Sequence, residues 1–194
     1  MTGGRISRDH CTGDVVSSAE YSKCLRYRYT LTRTWDPAGQ RLLYIMLNPS
    51  TATEAQNDPT IERCQRRAVR LGFGAMRICN LFAWRETSPA ALKRAKTPEG
   101  PENAAALTEG ADWADLILCA WGVHGTHRNA DETVLSALSA TGRPLYHLGL
   151  TKHGQPRHPL YLSYEVKPLL WTRAEGFAAP DGAGGALRKS STLA

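Results

Sequence analysis

The chain has 194 residues, 42% of them hydrophobic, enough for one domain with a full core but cramped for two independent ones. No apolar run approaches the roughly 20 residues that cross a bilayer, and the N-terminal stretch with Asp9, His10 and Asp14 lacks a signal-peptide core. A soluble cytoplasmic protein with no membrane partner is expected.

Net charge is +6, and 18 of the 24 Lys and Arg residues are Arg, whose planar fork grips phosphate. A polyanionic partner fits this composition; a genome that writes Arg for Lys would produce it too. Cys11, Cys24, Cys64, Cys79 and Cys119 are odd in number and include no C-x-x-C pair, which argues against a zinc ribbon and a disulfide framework. Cys64 and Cys79 have the wide spacing of two iron–sulfur ligands, but Cys11 and Cys24 make poor partners for them, so neither metal nor cofactor is expected.

In chain order, residues 1–19 carry Gly, Ser and Thr with little periodicity and read as a flexible N-terminus. Arg26 to Arg33 alternates large and polar residues, which predicts a strand with one wet face. The turn Asp36-Pro37-Ala38-Gly39 then joins it in a hairpin to Leu42–Leu47, apolar on both faces and therefore a central strand. Asp58-Pro59-Thr60-Ile61-Glu62 opens a helix with an N-cap acid and Pro at the first position, and Gly72 closes it. A strand at Met76–Phe82 follows, then helical stretches from Pro89 and Pro101. Next come a strand at Leu116–Ala120, a helix over about Asn129–Ala140 and a short strand at Leu145–Leu148. The alternation predicts a three-layer α/β/α sandwich with a largely parallel central sheet in a single domain over residues 20–171, and residues 172–194 read as a disordered tail.

Ligands of such sheets gather beyond the carboxyl ends of the strands. There the sequence places Asn48-Pro49-Ser50-Thr51, Asn80-Leu81-Phe82-Ala83-Trp84, Trp121-Gly122-Val123-His124, and a late loop from Lys152 through Arg157-His158-Pro159-Leu160-Tyr161. Amides, aromatics and histidines converge, without a carboxylate pair or a P-loop.

The strings L-N-P-S-T-A, D-P-T-I, N-L-F-A and R-H-P-L-Y-L resemble the signature of the uncharacterised DUF1643 proteins across most of Tyr27 to Trp171. The order of motifs is also similar to the uracil-DNA glycosylase superfamily: a strand ending Asn48-Pro49, an Asn at the next strand end in Asn80, a strand ending Trp121-Gly122, and a late His158-Pro159 loop. Two departures concern substrate choice, since Leu47 stands where a glycine-rich approach is usual and Leu160-Tyr161 where small residues follow His-Pro.

That resemblance implies a glycosylase-like hydrolase acting on a base, plain or modified, in DNA or in a nucleotide. Cleaving an N-glycosidic bond puts positive charge on the sugar and negative charge on the departing base, so a positioned water and donors at the base oxygens are needed. In this scheme Asn48 orients the water, and an aspartate in its place is expected to keep or raise activity because it could also deprotonate that water. His158 donates to the base carbonyl, and Asn80 reads a base edge with one donor and one acceptor. Phe82, Trp84 and Trp121 would supply stacking or packing surface to the base. Ser50, Thr51, Arg66, Arg67, Lys152, Arg157, Pro159, Leu160 and Tyr161 would meet nucleic acid.

Each role has a plainer counterpart. Asn48 before a proline makes turns, Trp84 and Trp121 suit a core, and Arg63, Arg66, Arg67 and Arg70 suit a solvated helix face. His124 and His127 suit a loop better than a metal site. A hydrolase or transferase for free nucleosides or nucleotides, and a non-catalytic nucleic-acid-binding module, are the alternatives, separable by salt dependence.

Overall fold

A computed structural model describes residues 4–172; the expected tail from residue 173 onward lies outside the described residues. Eight strands form one mixed sheet in the order β1-β2-β3-β5-β4-β6-β7-β8. The strands are β1 (Arg5–Thr12), β2 (Val15–Ser22), β3 (Arg28–Thr34), β4 (Arg41–Met46), β5 (Ala75–Asn80), β6 (Leu116–Cys119), β7 (Leu145–His147) and β8 (Leu169–Leu170). The helices are α1 (Pro59–Arg70), α2 (Pro89–Arg94), α3 (Asn103–Trp113) and α4 (Ala130–Ser139). Among the described residues no helix is long and apolar enough to cross a membrane.

Only the middle of the sheet is parallel: β4 pairs with β5 and β6, and β6 with β7, all in the same direction, whereas β1, β2, β3 and β8 join antiparallel. The expectation of a largely parallel sheet is corrected on this point. One set of buried side chains, including Tyr44, Met46, Ile61, Cys64 and Ile78, lies on the face covered by α1. The other, including Leu43, Ile45, Cys79, Leu107 and Val134, lies beneath α3 and α4.

The residues read as a flexible N-terminus instead form most of β1 and β2, joined through Gly13 at φ +55. Period-two patterning could not reveal β1, because an edge strand exposed along most of its length has no apolar side to mark.

The expected β3–β4 hairpin is also corrected, since β5 lies between the two strands. The turn at residues 36–39 docks on the start of β5: Trp35 and Asp36 N–H both donate to the Gly74 carbonyl, at 3.0 and 2.9 Å. A Cβ at Gly74 would sit 2.2 Å from the Asp36 carbonyl oxygen, so only glycine permits that approach. Flanked by β2 and β5, β3 has no wet face, and Arg28, Thr30, Thr32 and Arg33 are buried.

The α1 start is as the sequence predicts: the Asp58 carboxylate accepts from Ile61 N–H at 2.9 Å, with Pro59 in the first turn.

Candidate functional site

β4 is the first parallel strand in the chain, yet it lies between β5 and β6. The chain leaves β4 through α1 on one face to reach β5, then passes through α3 on the other face to reach β6. The two connections diverge and open a crevice at the carboxyl ends of the strands, where open α/β sheets bind ligands.

A cavity of about 340 Å³ occupies this place, a size suited to a small ligand. Asn48, Ser50, Asn80, Trp121 and His158 all line it. Asp58, Thr60 and Ile61 at the start of α1 close one side.

Asn80 ends β5 beside Met46, with 1% of its surface exposed. Neither its Oδ1 nor its Nδ2 has a hydrogen-bond partner among the described residues. A buried amide left this way costs about 1–3 kcal/mol per unpaired group, which is why native proteins rarely keep one without a use for it.

Asn48 is fixed differently. Its Nδ2 donates to the Pro49 carbonyl at 3.0 Å and to the Glu86 carbonyl at 2.6 Å, which settles the amide's orientation and leaves Oδ1 as its free acceptor.

His158 precedes the short turn Pro159–Tyr161, and its Nδ1 accepts from Leu160 N–H at 3.4 Å. That bond assigns the proton of the neutral ring to Nε2. Burial lowers the imidazole pKa below its ordinary value, opposed by the Asp58 carboxylate. The site therefore holds a neutral histidine with a donor to spare. Gly122, at φ +73, lies against it, and a Cβ there would be 3.7 Å from His158 Cβ.

Trp121 is buried and forms a wall. Its Nε1 donates to Gln155 Oε1 at 2.6 Å, and Gln155 Nε2 donates to the buried Asp131 of α4 at 2.8 Å, which ties the His158 loop to the rest of the domain.

Arg28 is the main lining residue that sequence reasoning missed. An irregularity in the β2–β3 ladder pairs Glu20 with Thr30 but Tyr21 with Arg28, so Tyr29 is an extra residue. Tyr29 packs beside Ala106 of α3, whereas Arg28 reaches the Ala52 carbonyl with Nη1 on the α1 side. Arg28 is 2% exposed, its Nε has no partner, and no carboxylate among the described residues forms an ion pair with it. Burial brings its pKa down to about 10, while Tyr21 and Asp58 pull the other way. It reads in sequence as a wet-face residue, but both faces of β3 are covered and the bulge turns it to the α1 side.

The family model of DUF1643, described as a protein of unknown function, matches residues 28–160. The chain belongs to that family. No curated protein and no solved structure matches it. In this DUF1643 protein the matched span starts at Arg28 and ends two residues beyond His158, and every residue lining the cavity falls within it.

The remaining expected site residues part company. Phe82 is fully buried in the core on the α3 side and tilts against His127, with centroids 5.6 Å apart, so it offers no stacking face. Trp84 lies outside the cavity, edge-on to Tyr27, in a shallow groove with Ser50 and Thr51. Arg67 is 0% exposed and its guanidinium is spent on the carbonyls of Leu162, Ser163 and Val166, which corrects its reading as a nucleic-acid contact. Arg66 is exposed and paired with Glu62. Lys152 and Arg157 are exposed outside the cavity, Pro159 is buried, Leu160 is half-buried and Tyr161 is 89% exposed. His124 does line the cavity, but no group of three or more His, Cys, Asp and Glu side chains placed to hold a metal ion occurs among the described residues. Cys64 and Cys79 belong to opposite faces of the sheet and cannot share a cluster.

Proposed function

We propose that this DUF1643 protein hydrolyses the N-glycosidic bond of a base held in the cavity, on a three-layer sandwich of the uracil-DNA glycosylase kind. The observation that carries the reading is the Asn80 amide, buried at a strand end with donor and acceptor both unsatisfied. Side by side, such a pair complements the N–H and C=O of a base edge.

The neighbouring groups suit the chemistry. Asn48 Oδ1 accepts a hydrogen bond from water and holds it toward C1′. As the C1′–N bond breaks, its electron pair leaves with the base and spreads onto a carbonyl oxygen; the water oxygen bonds to C1′, and its proton passes to solvent or to the released base. His158 Nε2–H donates to the developing oxyanion. A neutral donor fixed in place by the fold is effective because it requires no reorganisation as charge appears. Arg28, a buried cation in no ion pair among the described residues, adds field of the right sign, offset in part by the Asp58 carboxylate that lines the same cavity. Asn48 orients but takes no proton.

The test is a panel of oligonucleotides carrying different bases, treated with the protein and then cleaved at abasic sites. Asn48→Ala and His158→Ala should each lower base release by about 10²–10³ with the fold intact. Asn48→Asp should do no better than Ala, contrary to the sequence-based expectation, because it places a carboxylate oxygen against the Pro49 and Glu86 carbonyls. Base release unchanged in both Ala variants, or no release from any oligonucleotide, overturns the proposal.

A further inference from the structure

A shallow groove adjoins the cavity and shares Ser50, Glu86 and Thr87 with it. We propose that this groove carries the sugar–phosphate backbone of the strand that delivers the base, which makes the substrate a polynucleotide rather than a free nucleotide. The inference rests on reading the cavity as a base site.

Two arginines line the groove, Arg26 from the β2–β3 turn and Arg85 from the segment after β5. Neither forms an ion pair among the described residues. Arg26 is exposed. Arg85 is half-buried, donates from Nη1 to the Leu25 carbonyl at 3.2 Å, and keeps a buried Nε without a partner.

The backbone joins the two segments: Arg85 N–H donates to the Arg26 carbonyl at 2.9 Å, and Tyr27 bridges Trp84. The two arginines thus rise from paired segments beside one another, along the line that a repeating phosphate backbone would follow. Leu25, whose carbonyl receives Arg85, is at φ +59, a left-handed conformation that costs a leucine free energy and so marks a turn held by its surroundings.

The one carboxylate in the groove, Glu86, is already engaged. Its Oε1 accepts from Thr87 N–H at 2.8 Å and Ser88 N–H at 3.1 Å rather than from either arginine, and two cations against one anion leave the lining net positive. Trp84 contributes an aromatic surface beside them, the usual companion of cations in a strand-tracking groove. A mononucleotide seated in the cavity would leave this lining unused, whereas a strand with one base in the cavity would lay its flanking phosphates there.

The test is the salt dependence of binding of a fluorescently labelled single-stranded oligonucleotide. Each phosphate contact contributes about 0.7 to the slope of log K against log salt for a single strand. Arg26→Gln should flatten the slope by about that amount, Arg26→Lys should restore it, and adding Arg85→Gln should bring the total loss to about 1.4. Arg26 is the cleaner position because its side chain is exposed, whereas that of Arg85 is half-buried and hydrogen-bonded to Leu25.

A slope unmoved by Arg26→Gln, or a mononucleotide that loses its base as fast as the oligonucleotide, overturns the groove while leaving the cavity's chemistry standing. The converse is equally distinct: an Arg26-dependent slope with no base released supports the groove and removes the hydrolase. Asn80→Ala serves as the control, expected to abolish base preference without altering the slope.

Discussion

Arg66 and Arg67 are adjacent in sequence and opposite in consequence. Arg67 donates to the Val166 and Ser163 carbonyls at 2.8 Å and to the Leu162 carbonyl at 3.1 Å, with no exposed surface. Arg67→Met keeps the aliphatic reach but strands the Val166 carbonyl, while Leu162 keeps its bond from Arg63 Nη2 and Ser163 its turn bond from Val166 N–H. The stranded carbonyl costs about 1–3 kcal/mol and the charge-assisted bonds lost at Leu162 and Ser163 add to it; relaxation of the segment toward water and relief of the guanidinium's own desolvation offset part of this, leaving roughly 2 kcal/mol. For a domain of this size that lowers Tm by about 4–8 °C. Arg66→Ala removes only an exposed i,i+4 pair with Glu62, screened by solvent, and should leave Tm within about 2 °C of the parent. Thermal melts of the two variants followed by circular dichroism decide the matter. If Arg67→Met melts within about 2 °C of the parent, the carbonyl clamp does not hold the 162–166 segment, and the assignment of Arg67 to structure is wrong. The base-release assay adds a second reading. Arg63 and Arg67 together hold Pro159, Leu162 and Ser163, so loosening that segment should reduce activity through His158, although Arg67 lies outside the cavity.

His158 should titrate below the ordinary histidine value, because burial disfavours the charged ring. The unfolded chain then binds the proton more readily, so stability held above about pH 6.5 is lost as pH falls through the folded-state value. Proton NMR of the ring, together with acid melts in which His158→Gln shows a smaller loss, checks this; a midpoint at or above 6.5 contradicts it. Cys64, Cys79 and Cys119 are buried with their thiol pKa values pushed well up, that of Cys79 to about 12, whereas Cys11 and Cys24 are exposed. A thiol reagent should therefore label only two cysteines in the folded protein and all five after denaturation, counted by mass spectrometry.

Local structure was more legible than pairing. The Asp58 cap and Pro59 marked the start of α1, and apolar runs marked β4, β5 and β6, because each signal is confined to a few neighbouring residues. Which strand lies beside which is a long-range choice, and the turn at residues 36–39 looks like a hairpin until Gly74 is seen to receive it. Charged side chains were the least legible. Arg28 and Arg67 both fit a solvated pattern, and burial of each depends on a partner far away in sequence: the Ala52 carbonyl for one and the 162–166 segment for the other.

The convergence of Asn48, Asn80 and Trp121 was legible for a different reason. In a parallel unit every strand points the same way, so residues just past the strand ends share an edge whatever the order of the strands. Order decides only which of them become neighbours. With β4 between β5 and β6, Asn48 stands between Asn80 and Trp121, and α1 and α3 leave on opposite faces so that nothing fills the space beyond. Phe82 illustrates the limit of the argument. Alternation would put it on the same face as Asn80, but β5 ends at Asn80, and beyond a strand's end alternation no longer holds. The chain turns and Phe82 packs into the α3-side core, leaving Asn80 as the last side chain that the strand itself aims.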